Sequence, residues 1–295
     1  MTRWKAHLAV FTANLIYGAN YSIAKSVTPL YIKPFGFIVI RAFVATLLFW
    51  AIAGFFTKER LMKKDVPVFL ACALSGVAVN QLMFFKGLSL TSPINAGLMM
   101  ISNPIFVLII AFIFLKNKIT WQALTGIALG IAGCSMLLLY GGEYSTEVAS
   151  TEGDICILIN AFSYAVYLVL VKPLMAKYHP LTIMKWIFLF GTVMVLPFGY
   201  NEYAEVKWDT FTPGLWMATA FVVIGSTFFA YLFNTIGLIS LNPSAVSVYI
   251  YLQPLLAAAF AIMLGKDTPN VIHLISALFI FGGVWLCLRP EATKQ

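Results

Sequence analysis

Charge is what this 295-residue chain has least of: only 10% of it is Asp, Glu, Lys or Arg, while 61% is hydrophobic. A soluble domain carries roughly 25% charged and about 45–50% apolar residues, so there is too little charge here to coat a globule in water. Acid is scarcer than base, with 11 Asp and Glu against 19 Lys and Arg, and no acid lies in the middle of an apolar run. Histidine is sparse, with His7, His179 and His273 far apart, and the four cysteines, Cys72, Cys134, Cys156 and Cys287, form no C-x-x-C pair. Neither a disulfide framework nor a zinc site is expected; the cysteines read as small buried hydrophobes. G-x-S-x-G, H-E-x-x-H and P-loop patterns are missing as well, so no catalytic residue, metal or cofactor is expected. The excess of base does not point to nucleic acid, because the basic residues are scattered rather than gathered into a patch.

What the chain does have is long apolar runs, at about 6–26, 34–56, 66–88, 93–115, 121–140, 154–173, 180–200, 212–238, 244–264 and 271–289. Each is about twenty residues, the length a helix needs to cross roughly 30 Å of hydrocarbon. Runs this continuous exclude the alternating pattern of an outer-membrane barrel, and in lipid only helices or closed barrels satisfy every backbone group. Arg3 and Lys5 ahead of the first run resemble a signal peptide. That run continues past Asn20 without a small-residue cleavage site, and is read as an uncleaved first helix. The expected fold is an all-α polytopic membrane protein of ten transmembrane helices.

The connections carry two further signals. Alternate loops divide the basic residues unequally: Arg3, Lys5, Lys58, Arg60, Lys63, Lys64, Lys116, Lys118, Lys172, Lys177, Arg289 and Lys294 on one side, Lys25, Lys33, Lys86, Lys207 and Lys266 on the other. The positive-inside rule then places both termini in the cytoplasm of an inner-membrane protein. The second signal is repetition: at an offset of 150 residues Gly87-Leu88 meets Gly237-Leu238, Pro93 meets Pro243, Pro104 meets Pro254, Lys116 meets Lys266 and Gly133 meets Gly283. Shared prolines at one fixed offset indicate duplication. Two five-helix halves, over 1–142 and 154–295 with an acidic linker at 143–153, must enter the bilayer from opposite sides. Such inverted repeats recur in transporters, with a site near the midplane between the halves.

These residues also carry a family likeness. Tyr17-Gly18 and Asn20 stand in the first helix, and Pro34 is followed by Arg41 in the second. The segment F-F-K-G-L-S-L-T-S-P-I-N-A over 84–96 runs into Asn103-Pro104, and its echo T-I-G-L-I-S-L-N-P-S-A over 235–245 runs into Gln253-Pro254. Over nearly its whole length the chain resembles the EamA family of the drug/metabolite transporter superfamily. It departs from the acidic residue many relatives carry after the fourth and ninth helices, reading Leu115-Lys116 and Gly265-Lys266 there. The resemblance implies transport of a small metabolite, an amino acid or related amphipathic solute, and puts the faces of helices 4 and 9 on a central cavity.

Polar groups within lipid are costly and face the protein interior or an aqueous cavity. The candidates for lining it are Tyr17, Asn20 and Tyr21 in the first helix, Arg41 in the second, and Asn80, Gln81 and Phe84 in the third. Asn95, Met99 and Asn103 in the fourth recur every four residues, and Ser247 and Tyr251 form the comparable stripe in the ninth. Ser163 and Tyr167 in the sixth helix and Tyr231 and Asn234 in the eighth complete the set. Pro104 and Pro254 are hinge candidates, since each removes a backbone hydrogen bond. Arg41 suits a carboxylate or phosphate, while Lys185, near its helix end, can snorkel. Gly126, Gly130 and Gly133 allow close helix approach, within the bundle or in a homodimer; monomer and dimer both fit.

The leading expectation is thus a secondary transporter exporting a small solute by alternating access, with lipid and substrate as its partners. The alternatives are an organic-anion exchanger that uses Arg41 and a non-transport scaffold, the latter expected to be a solid bundle. With no acid inside a span, a uniporter or exchanger is favoured over a carrier driven by a carboxylate proton relay.

Overall fold

The computed structural model describes residues 2–91, 93–116, 119–140, 150–263 and 270–288, apart from the side chains of 21, 22, 25, 93–95 and 261. The side chains of Tyr21 and Asn95, linker residues 143–149, and Lys118, Lys266, Arg289 and Lys294 lie outside the described residues. The helices are α1 (Arg3–Val27), α2 (Pro34–Phe56), α3 (Lys63–Leu90), α4 (Ala96–Leu115), α5 (Trp121–Tyr140), α6 (Thr151–Ala176), α7 (Pro180–Ala204), α8 (Pro213–Ser240), α9 (Pro243–Phe260) and α10 (Val271–Leu288). Among the described residues, α2 to α10 are nine helices apolar and long enough to cross a membrane. The 25 residues of α1 are also long enough, but Arg3, Lys5, His7, Asn14 and Asn20 dilute its apolar content.

Local chemistry sets where helices begin. Pro34, Pro180, Pro213 and Pro243 open α2, α7, α8 and α9, a position where the missing N–H costs nothing. Thr212 and Asn242 cap α8 and α9 by accepting from Leu215 N at 3.3 Å and Ala245 N at 2.7 Å.

The packing is symmetric under exchange of the halves. The helix α2 runs along its own counterpart α7, and α5 along α10; α3 packs on α6 as α8 packs on α1, and α4 on α6 as α9 on α1. Gly87 of α3 lies under Ile157 of α6, and Gly237 of α8 lies under Val10 of α1 in the same way. The equivalence therefore runs at an offset of 147 for α1 and α6 where it is 150 for α3 and α8. Irregularities repeat too. A π-helical stretch, Leu74–Ala78 in α3, has its counterpart at Phe221–Phe229 in α8. The helix α4 is interrupted by a turn at 101–102, and α9 tightens into a 3₁₀ segment, Val248–Tyr251. Pro104 and Pro254 follow these interruptions by two or three residues. A proline lacks the N–H that would continue the ladder and crowds the preceding turn, so the bend falls just before it.

The glycine stripe of α5 is spent inside the bundle. A Cβ on Gly126 would lie 2.6 Å from Gly283 O, one on Gly133 2.9 Å from Ser276 O, and one on Gly130 would overlap the Tyr251 ring. The stripe thus lets α5 of one half meet α10 of the other with almost no space between backbones.

Polar contacts tie the halves at both ends of α2 and α7. Where α2 starts, Glu202 Oε2 accepts from Phe35 N at 2.7 Å and Gly36 N at 3.0 Å, and Lys33 pairs with Glu205 at 2.5 Å. That hydrogen bond to Glu205 raises the Lys33 ammonium above its ordinary pKa. Nearby Lys86 pairs with Glu152 at 2.7 Å and Thr91 donates to Asp154 at 2.6 Å. Where α7 starts, Glu59 Oε2 accepts from His179 N at 2.8 Å, Thr182 meets Thr57 at 2.9 Å, and Asp65 holds Lys177 at 2.7 Å and Tyr178 at 2.8 Å. Lys33 and His179 cap the two equivalent helices, and Glu205 and Glu59 face them, so the two contacts occupy matching places at opposite ends.

Candidate functional site

Between the halves lies a cavity of about 80 Å³, several times the space a single water needs. Tyr17 and Asn20 of α1, Arg41 of α2, Asn80, Gln81, Phe84 and Phe85 of α3 and Met100 of α4 line it from the first half. Asn160 and Tyr164 of α6, Tyr231 of α8, and Ile250 and Gln253 of α9 line it from the second. Tyr17 and Tyr164 are twofold equivalents at the 147-residue offset, so the wall is partly symmetric. Arg41 breaks that symmetry, since among the lining residues it is the one charged group.

Arg41 sits seven residues into α2, roughly 10 Å from its start, and is 4% exposed. Its Nε donates to Thr227 Oγ1 at 2.8 Å and Nη2 to Ser226 Oγ at 3.4 Å, both on α8. The guanidinium lies 4.5 Å from the Phe85 ring centre and 5.9 Å from that of Phe37, a face that favours a cation. Nη1 is buried without a hydrogen-bond partner, and no described ion pair involves this residue. A buried guanidinium is stabilised by an anion; here neutral hydroxyls and aromatic faces hold it, and one donor is left over.

Uncommitted acceptors surround it. The amide oxygens of Asn20 and Asn160 are buried without partners, while Asn160 Nδ2 donates to Asn80 O at 2.7 Å and Asn80 Nδ2 reaches Asn160 O at 3.4 Å. This reciprocal pair stitches α3 to α6 and fixes both amides. The Tyr231 hydroxyl lies 2.9 Å from Gly76 O and 3.1 Å from Asn80 Oδ1. The π stretch of α3 frees carbonyls for such use: Ser163 Oγ takes Ser75 O at 2.7 Å as Tyr231 takes Gly76 O. Gln253 Nε2 donates to Asn14 Oδ1 at 2.8 Å and joins α9 to α1.

Of the residues singled out in the sequence, Tyr17, Asn20, Arg41, Asn80, Gln81, Phe84 and Tyr231 line the cavity. Others stand behind the wall or away from it. Asn234 donates to the Tyr164 hydroxyl at 3.0 Å, Tyr167 stacks on Tyr164 at 5.8 Å, and Ser163 bonds to α3. Asn103 turns to Ala161 O at 2.6 Å, and Met99 packs in a small cluster around Leu88, Ala96 and Ile157. Ser247 donates within its own turn to Ser244 O, and Tyr251 is buried against Gly130. The interruptions in α4 and α9 explain the last four: they rotate the register, so that Met100, Ile250 and Gln253 face the cavity instead. Lys185 lies elsewhere, 5.4 Å from the Trp50 ring centre. Asn160, Tyr164, Phe85, Met100, Ile250 and Gln253 were not singled out as lining residues, although Gln253 belongs to the repeated proline motif. Among the described residues, no group of three His, Cys, Asp or Glu is placed to hold a metal.

Comparison with known proteins agrees with this architecture. A solved crystal structure superposes with a TM-score of 0.76 at 19% identity, covering 97% of both chains, and so shares the fold. An uncharacterized transporter of Archaeoglobus fulgidus is 27% identical over 97% of this chain and 98% of its own. The Bacillus subtilis protein named "Uncharacterized transporter YyaM" is 24% identical over 96% of this chain and 93% of its own. A Streptantibioticus cattleyicolor protein named "Probable terminal-alkyne amino-acid exporter" is 24% identical over 88% of this chain and 86% of its own. The model of the EamA-like transporter family matches residues 4–139 and again 151–289; two matching segments over nearly the whole length, on ten membrane helices in two inverted halves, mean that the chain belongs to that family.

Proposed function

We propose that this transporter exports a small amphipathic metabolite bearing a carboxylate, an amino acid or close relative, from the cytoplasm of a bacterial cell. The observation that carries this reading is Arg41 Nη1, a buried cationic donor without a partner, in a cavity that also holds the unpartnered amide oxygens of Asn20 and Asn160. A carboxylate complements the first and an ammonium the other two; the aromatic faces of Phe84, Phe85, Tyr17 and Tyr164 suit an apolar side chain. The exporter named among the relatives supports the same class. The distribution of Lys and Arg supports cytoplasmic termini in the inner membrane, and a monomer suffices because the α5 glycine stripe is occupied by α10. Alternating access rocks the halves about the cavity, with the bends ahead of Pro104 and Pro254 as its hinges.

Counterflow of radiolabelled amino acids in proteoliposomes tests this. Arg41→Ala should raise the half-saturation concentration by about 30-fold or more, the usual consequence of removing one side of a buried charged contact. Retention of wild-type half-saturation by that variant refutes the carboxylate site. The organic-anion reading keeps one observation in its favour, that Arg41 has no carboxylate beside it in the cavity; dicarboxylates outcompeting every amino acid would establish it instead. No lining residue is acidic, which favours uniport or exchange, and a substrate-driven proton flux would overturn that part.

A further inference from the structure

Arg41 begins on α2, in the first half, and ends on Ser226 and Thr227 of α8, in the second. Both hydroxyls are fully buried, and both donate to one carbonyl: Ser226 Oγ to Val222 O at 2.7 Å, four residues back, and Thr227 Oγ1 to Val222 O at 3.1 Å, five residues back. The five-residue reach is the register of the π stretch Phe221–Phe229, and this widened turn lets two successive side chains converge where an α-helix would aim them about 100° apart. A hydroxyl has a single hydrogen. With that hydrogen committed to Val222 O, each oxygen can meet Arg41 only as an acceptor.

We propose that Ser226 and Thr227 are positioning residues that set the specificity of the site for an anionic group. They orient the guanidinium by its Nε edge, turn Nη1 to the cavity, and contribute no negative charge. The whole of the arginine's charge is left for the substrate. An acid at either position would supply an internal counter-ion and close the site to carboxylates. This inference rests on the reading that Arg41 receives the substrate carboxylate.

The test uses proteoliposomes of the full chain, with the fastest of the proteinogenic amino acids and its carboxamide as the matched probe. Thr227→Val removes the acceptor at nearly constant shape. It should raise KM for the carboxylate about tenfold, the scale of a hydrogen bond to a charged group, while KM for the amide moves less than about twofold; Thr227→Ser should restore the wild-type ratio. Thr227→Asp should abolish the preference for the carboxylate. A purely structural role would move both probes together, and that result, or an unchanged carboxylate-to-amide ratio in both Thr227→Val and Thr227→Asp, overturns the proposal. If Arg41→Ala also leaves the ratio unchanged, or no amino acid is carried, the substrate reading itself has failed; if Arg41→Ala collapses the ratio and Thr227→Val does not, only the positioning role has.

Discussion

Gly282 and Gly283 are neighbours on α10, and replacing each with alanine should have opposite consequences. A Cβ on Gly283 would stand 2.5 Å from Gly126 O and 2.8 Å from Gly130 N, both backbone atoms of α5, whereas one on Gly282 meets nothing within 4 Å. No rotamer can relieve a clash with backbone, so the α5–α10 seam must open by about 0.9 Å to regain ordinary contact, a gap that costs a quarter to a half of each dispersion well. If the seam loses that fraction over ~40 atom pairs worth ~0.15 kcal/mol each, Gly283→Ala destabilises by about 2 kcal/mol, within the range of overpacked cores. Gly282→Ala gains helix propensity instead, by as much as ~1 kcal/mol. Thermal unfolding of the two purified variants in one detergent reads the difference, with Gly283→Ala lower by about 4–8 °C and Gly282→Ala at or above the wild type. Equal midpoints for the two variants would refute the claim that backbone contact across this seam joins the halves.

Three further outcomes follow from contacts described above. Glu202→Ala leaves Phe35 N and Gly36 N without their shared acceptor; losing such a cap costs about 0.5–2 kcal/mol, and cysteine probes near Lys33 should label faster as the end of α2 opens more often. Gly76→Ala places a Cβ 2.5 Å from the Tyr167 ring, so transport should fall severely while the exposed Gly54→Ala, with nothing within 4 Å, stays within about 0.5 kcal/mol of wild type in thermal unfolding. Lys33 is held protonated by Glu205; a raised pKa means its contribution is present at neutral pH and lost only as pH climbs past the ordinary lysine value of about 10.4, so labelling at that end should not change between mildly acidic and mildly alkaline buffer.

The spans, their inversion and the 150-residue echo are legible in the chain because prolines and apolar length are local signals. The cavity is only half legible. Arg41, Asn80 and Tyr231 stand out as polar groups in apolar runs, and they do line it. Tyr164 and Asn160 did not, because α6 aligns with α1 at 147 residues rather than 150 and no proline marks that shift. The stripe ending in Ser247 and Tyr251 assumed an unbroken α-helix. Four residues of 3₁₀ geometry turn the chain by about 20° more per residue, roughly 80° in all, which carries Ile250 and Gln253 to the cavity and Tyr251 away from it. The π stretches carry no composition signal, yet one of them brings Ser226 and Thr227 to Arg41.

The matched contacts at the two ends of α2 and α7 are built from unlike chemistry, an ammonium–carboxylate pair at Lys33 and Glu205 and a backbone N–H on a carboxylate at His179 and Glu59. Their breaking costs therefore differ, and the empty carrier rests with one vestibule favoured over the other. Such a bias gives no direction to net flux, because an uncoupled cycle must balance when substrate is equal on both sides. What it sets is kinetic asymmetry: apparent affinity is tighter on the face at which the unloaded protein already stands open, by the ratio of the two resting populations.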